Sequence, residues 1–142
     1  MFDSSHIHPM LVHFPIALAL LGVLFSFLRL FKPDKFIYPC GEFLLYFATI
    51  SAILAATAGA TLTPDFNSPE LMQAKNIHST FAGITITLLC IASAFYVTRR
   101  LLKKYEITLH KAGIIFYLMA AISVAITGYL GGVLVYNDLL KM

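Results

Sequence analysis

Charged side chains are scarce in this sequence of 142 residues. Aspartate, glutamate, lysine and arginine make up 12% of it, and 59% of the residues are hydrophobic, whereas soluble domains carry roughly 25% charged residues. Too few charges are present to cover a soluble surface, and the mean hydropathy is +0.83. A nucleic-acid interface is excluded as well, because no folded soluble face remains to carry one. The sequence therefore predicts an integral membrane protein whose surroundings are the lipid bilayer.

Cysteine is rare, and positive charge is absent from the N-terminal stretch. Cys40 is expected near one membrane face and Cys90 inside a helix, farther apart than the ~7 Å between Cα atoms that a disulfide permits. No Cys-x-x-Cys-His occurs, which excludes covalent attachment of a c-type haem. Residues 1–8 contain no lysine or arginine and precede an apolar stretch too long for a signal peptide, so no cleavage is expected.

Long apolar runs, by contrast, fill most of the chain. Four segments, at about 9–30, 36–62, 77–97 and 109–136, are each near or above the ~20 residues that a helix needs to cross ~30 Å of hydrocarbon. A helix satisfies its own backbone polar groups in lipid, so each segment is predicted to be helical. Short connections make neighbouring helices antiparallel. The predicted fold is all-α: one domain over 1–142, an up-down-up-down four-helix bundle.

Basic residues are concentrated in two of the three connections. Those in the first and third connections are Arg29, Lys32, Lys35, Arg99, Arg100, Lys103, Lys104 and Lys111. The second connection contains only Lys75, and the C-terminus only Lys141. By the positive-inside rule, the first and third connections face the cytoplasm. We therefore expect a multi-pass protein of the bacterial inner membrane with both termini in the periplasm, N-out and C-out.

The histidines are distributed unevenly along these four segments. His6, His8 and His13 lie at the outer end of the first helix, and His78 at the outer start of the third. Histidine is costly in hydrocarbon unless it has a partner or a ligand, so the convergence at one face needs an explanation. His110 lies alone at the cytoplasmic end. We expect His6 to be solvated and His110 to be interfacial and structural.

The first hypothesis is a membrane redox protein with one b-type haem. His13 and His78 are predicted to lie within about one turn of the outer interface, given a rise of ~1.5 Å per residue. Two imidazoles at one level of a bundle can bind a haem iron from both faces. Pro15 lacks the N–H that would bond to the carbonyl of Leu11, so it should bend the helix just past His13. His8 would support a haem propionate or a quinone headgroup, and electrons would pass to or from a quinol or a periplasmic carrier.

Small residues on the second, third and fourth helices fit this hypothesis. Small side chains let helices approach closely in lipid, and the same stripes leave room for a flat prosthetic group. Gly59, Gly83 and Gly128 are the glycines predicted to border it. Close helix packing without a cofactor explains the same stripes.

Two other functions remain open from the residues alone. A mononuclear site would use His8, His13, His78 and Asp65, three nitrogens and a carboxylate that suit zinc, copper or non-haem iron. Alternatively, the protein is a structural subunit of a larger membrane complex, such as a respiratory complex, with its histidines at an interface. A homo-oligomer is also compatible with the sequence.

Several of these residues resemble the pattern of a family of small membrane proteins, domain of unknown function 2231. Residues 8–18 read His-Pro-Met-Leu-Val-His-Phe-Pro-Ile-Ala-Leu, and residues 131–136 read Gly-Gly-Val-Leu-Val-Tyr. Asp65 after the second helix and His78 in the third are weaker matches. The resemblance covers almost the whole chain and implies a four-helix membrane protein. Some members are joined to Rieske iron–sulfur or cytochrome c domains, which implies a respiratory or redox setting.

Overall fold

A computed structural model describes residues 7–31, 37–62 and 68–140. The helices in order are α1 (Ile7–Leu11), α2 (His13–Phe31), α3 (Ile37–Leu62), α4 (Pro69–Leu101), a 3₁₀ turn (Lys103–Tyr105) and α5 (Glu106–Leu140). No strand occurs within these three ranges. These helices form four spans that are long and apolar enough to cross a membrane. The prediction of an all-α protein with four membrane-spanning helices is thus confirmed, whereas the side on which each end lies stays a prediction.

Helices α4 and α5 extend beyond the apolar segments that predicted them. Helix α4 begins at Pro69 rather than near 77, and α5 begins at Glu106. Ser68 precedes α4 in an extended conformation, with φ −84° and ψ 127°, and Pro69 follows at the helix start. Proline is tolerated there because an N–H at the first helical position would have no intrahelical partner. The negative charge of Glu70 in the first turn interacts favourably with the positive N-terminal end of the helix dipole. Hydropathy therefore identified the part of α4 that is suited to lipid, but it did not identify the residue at which the helix begins.

The first membrane span is interrupted at Val12. Pro15 has no N–H to donate to the carbonyl of Leu11, and its ring clashes with that carbonyl in a regular helix. Val12 is a turn residue whose N–H still bonds to the carbonyl of His8, at 3.1 Å. This interruption lies just before His13, whereas the bend predicted just past His13 stays a prediction. His8 and His13 consequently belong to two different helical segments.

Small side chains line the contacts between the helices. Helix α2 packs against α3 and α5, α4 packs against the same two helices, and α1 packs against α3. The core is built from Ala19, Leu45, Ala48, Ala52, Leu89, Ala92, Tyr96, Tyr117, Ala120 and Val124. Many large apolar side chains, including Phe47 and Leu54, lie on the outside of the bundle. The alanines of the core let the helices approach closely, and the large apolar side chains on the outside suit contact with lipid.

Candidate functional site

The imidazole of His8 is held by α3. Its Nδ1 lies 2.9 Å from the carbonyl oxygen of Ala55. A carbonyl only accepts hydrogen bonds, so Nδ1 carries the proton and donates it. A Cβ atom added at Gly59 would lie 2.8 Å from Cε1 of His8. Gly59 thus provides the space into which the ring fits.

The imidazole of His78 is held in the same way by α5. Its Nδ1 lies 3.1 Å from the carbonyl oxygen of Thr127, to which it donates. A Cβ atom added at Gly131 would lie 3.1 Å from Cε1 of His78. In both cases the acceptor carbonyl belongs to the residue four positions before the glycine, one helical turn away. The missing side chain lets the ring approach the backbone of the neighbouring helix.

These two imidazoles lie next to each other. Their ring centres are 6.3 Å apart and their planes are inclined by 84°. In the neutral form of each ring, Nδ1 is the protonated nitrogen and Nε2 carries a lone pair. Within the described ranges, neither Nε2 has a hydrogen-bond partner. His8 and His78 therefore bring two potential ligand nitrogens to one end of the bundle.

His13 occupies a different position from that pair. Its side chain is exposed, and its Nδ1 lies 2.7 Å from the carbonyl oxygen of Pro9. No described hydrogen bond or ring contact joins His13 to His78. The structure thus brings His8 to the position beside His78. The sequence had assigned His8 a supporting role in the haem hypothesis and a ligand's role in the mononuclear metal alternative.

The three glycines predicted to border a cofactor have three different surroundings. Gly59 contacts the ring of His8, as described above. Gly128 packs against Ile16, whose Cδ1 would lie 2.8 Å from an added Cβ atom, and so it allows α5 to approach α2. Gly83 is exposed, with nothing within 4 Å of an added Cβ. The sequence did not assign Gly131 to the site, although its missing side chain leaves room for the ring of His78. The pattern that could have indicated it is its position four residues after Thr127, whose carbonyl binds that ring.

The number of converging ligands bears on the choice between haem and a simple metal ion. Among the residues of the three described ranges, no group of three or more histidine, cysteine, aspartate or glutamate side chains is arranged to hold a metal ion. Asp65 and His6 lie outside those ranges. A haem iron takes four nitrogens from its porphyrin, so two protein ligands complete its coordination. Two imidazoles are thus the ligands that the described residues bring together at this end of the bundle, and they could complete the coordination of such an iron.

A second polar cluster lies at the opposite end of the bundle. Arg99 donates to Glu42 Oε2 at 3.0 Å and contacts His110 Nδ1 at 3.2 Å, and Arg100 donates to Glu42 Oε1 at 3.0 Å. The side chains of Arg99 and Glu42 are each only 2% exposed. The cluster joins α3, α4 and α5, and His110 accepts a hydrogen bond within it. The sequence grouped the arginines by topology, but it did not reveal that Glu42 pairs with both of them.

The glycine beside His8 supplies a direct test of the site's packing. We expect Gly59→Ala to lower the thermal unfolding midpoint of the detergent-solubilised protein, because overpacking at a contact this tight costs about 1–3 kcal/mol. Gly83→Ala is the matched control, since open space surrounds Gly83 and alanine is the better helix former by roughly 1 kcal/mol. Equal midpoints for the two variants would contradict the close contact between Gly59 and His8.

Comparison with known proteins gives one match. The family model described as "Predicted membrane protein (DUF2231)" matches residues 4–142. No curated protein and no solved structure matches the chain. The matched range contains both imidazoles and the charged cluster at the other end.

Proposed function

We propose that this chain, which belongs to the DUF2231 family of predicted membrane proteins, is a membrane redox protein with one b-type haem. His8 and His78 would hold the haem through their Nε2 atoms. The observation that supports this assignment is the pair of adjacent imidazoles, each oriented by a backbone carbonyl of a neighbouring helix. His78 keeps the role that the sequence suggested for it, and His8 takes the one suggested for His13.

The spacing of the rings supports the same proposal. His8 and His78 would hold one iron through their Nε2 atoms, and metal–imidazole bonds of about 2.0–2.1 Å require two ligand rings whose centres lie several ångströms apart. The ring centres of His8 and His78 are 6.3 Å apart. Both imidazoles also have the hydrogen bond from the other ring nitrogen that usually fixes the tautomer of a ligating histidine and raises its basicity.

A haem held by the pair would take part in electron transfer. When bound, a b-type haem supplies one-electron transfer, with a potential that depends on its ligands and on burial. His8 and His78 would orient the iron and hold their own protons on Nδ1 toward Ala55 and Thr127. Both rings lie at one end of the bundle, so a single haem there cannot carry electrons across the whole membrane. The electron partner would be a quinol in the bilayer or a carrier on the same side, the periplasm in the topology that the basic residues predict.

The absorption spectrum of the purified full-length protein tests this function. The protein is expressed with haem supplied, and spectra are recorded after oxidation and after reduction with dithionite. We expect a Soret band and a reduced α band, with one haem per chain in a pyridine haemochrome assay. Absence of both bands would refute the proposal. Bound zinc, copper or iron without porphyrin would instead favour the metal-binding alternative, and neither cofactor would favour a structural subunit.

A further inference from the structure

A cavity of about 490 Å³ lies at the end of the bundle opposite the imidazole pair. Its charged lining consists of Arg99, Arg100, Lys103, Glu42 and Glu106. Three cations and two carboxylates leave the lining with one net positive charge. The cavity is separate from His8 and His78, so an inference about it does not depend on the haem proposal.

The cations of the cavity differ in depth. Arg99 is buried and bonded to Glu42 and His110, so it belongs to the structural framework. Arg100 also bonds to Glu42, but its side chain is 56% exposed. Lys103 is exposed and forms no salt bridge with any residue in the described ranges. Arg100 and Lys103 therefore present positive charge at the opening.

The lining has more cations than carboxylates. Lys104 and Lys111 are exposed and follow Arg100 and Lys103 in the chain, but they are not part of the lining. A concave site lined by one prevailing sign of charge concentrates counter-ions. The expected occupant is thus an anion.

An apolar wall adjoins these cations. Phe43 lines the cavity and is 53% exposed, and Phe47, one turn further along α3, is 59% exposed on the outside of the bundle. A free inorganic anion would use only the cations. An anionic amphiphile would use the cations and the aromatic wall together.

We propose that this cavity binds the phosphate headgroup of an anionic phospholipid. Arg100 and Lys103 contact the phosphate, and Phe43 packs against the adjoining apolar part of the lipid. Guanidinium groups match phosphate oxygens in geometry and charge, and basic pockets between transmembrane helices are a known form of lipid recognition. Glu42 keeps the two arginines in place and limits the net charge of the pocket.

Native mass spectrometry of the full chain in detergent tests the proposal. The protein is titrated separately with phosphatidylglycerol, phosphatidylcholine and inorganic phosphate. We expect retention of one phosphatidylglycerol at concentrations on the order of tenfold below those needed for phosphatidylcholine, given the electrostatic gain near basic side chains. Equal retention of the two lipids would overturn the proposal. Displacement of the lipid by millimolar inorganic phosphate would identify a soluble anion as the ligand and also overturn it.

Paired variants separate this cavity from general surface charge. Arg100→Gln/Lys103→Gln should weaken phosphatidylglycerol retention on the order of tenfold or more, whereas Lys104→Gln/Lys111→Gln removes equal charge outside the lining and should change it less than about twofold. Because Arg100 also bonds to Glu42, the single variant Lys103→Gln is measured too; it breaks no described ion pair and should weaken retention about fivefold. Equal losses in both double variants, or unchanged retention in Lys103→Gln, would overturn the proposal.

Discussion

Under the haem proposal, replacing His8 or His78 by alanine is expected to abolish the b-type absorption spectrum. Each substitution would remove one of the two nitrogens proposed to hold the iron, and no other histidine in the described ranges contacts either ring. A single remaining imidazole would leave a haem that is high-spin if retained, or lost during purification. Reduced-minus-oxidised spectra and pyridine haemochrome assays on purified variants measure both outcomes.

The matched control for these variants is His13→Ala. His13 lies in the same span, but it is exposed and its Nδ1 bonds within the first span to Pro9. We expect this variant to keep the spectrum and the haem content of the unmodified protein. The reverse pattern, with bands lost in His13→Ala and kept in His8→Ala, would restore the pairing of His13 with His78. Unchanged spectra in both His8→Ala and His78→Ala would refute a haem bound by these residues.

Replacing Glu42 by glutamine should cost about 3–5 kcal/mol of unfolding free energy, because it leaves a buried arginine without a counter-charge. Glu42 and Arg99 are both almost inaccessible, and the same carboxylate also binds Arg100 and Tyr46. Glutamine keeps the size of the side chain but not its negative charge. Reversible unfolding in mixed detergent and dodecyl sulfate micelles gives the free energy of unfolding for each variant.

Two controls separate the buried pair from charge removal in general. Arg100→Gln alters the more exposed arm of the cluster and should cost about 0–1 kcal/mol, the usual value of an exposed ion pair. Glu42→Met/Arg99→Met removes both buried charges and should recover much of the loss, since well-packed apolar replacements of buried pairs are often neutral. A Glu42→Gln variant within about 1 kcal/mol of the unmodified protein would contradict the importance of this pair.

The family and the presence of the helices could be predicted from the sequence, but the residues at which the helices begin and end could not. The signature at residues 8–18 pointed to the family whose model matches 4–142. The helix ends were less accessible, because a run such as 70–76 is polar and yet helical. Pro69 and Ser68 mark that start, but they define a helix end only in combination with the contacts of the following turns.

The partner of His78 shows most clearly where the sequence stopped being informative. Charge distribution and helix length placed His8, His13 and His78 at one end, since depth in a bundle follows from the rise per residue. Rotation of each helix about its axis decides which of them meet, and this depends on packing. The interruption at Val12 lies between the helical segments that carry His8 and His13. Gly59 leaves space on α3 for the ring of His8.

By itself, the sequence determined that this is a four-helix membrane protein, because lipid requires long apolar helices that satisfy their own backbone hydrogen bonds. Only the tertiary structure decided that His8 rather than His13 lies beside His78, and that Glu42 neutralises Arg99 inside the bundle. Both contacts join helices far apart in the chain. They depend on the rotation of each helix about its axis and on the space that small residues leave between helices. Composition and periodicity do not predict either of these well enough to say which side chains meet.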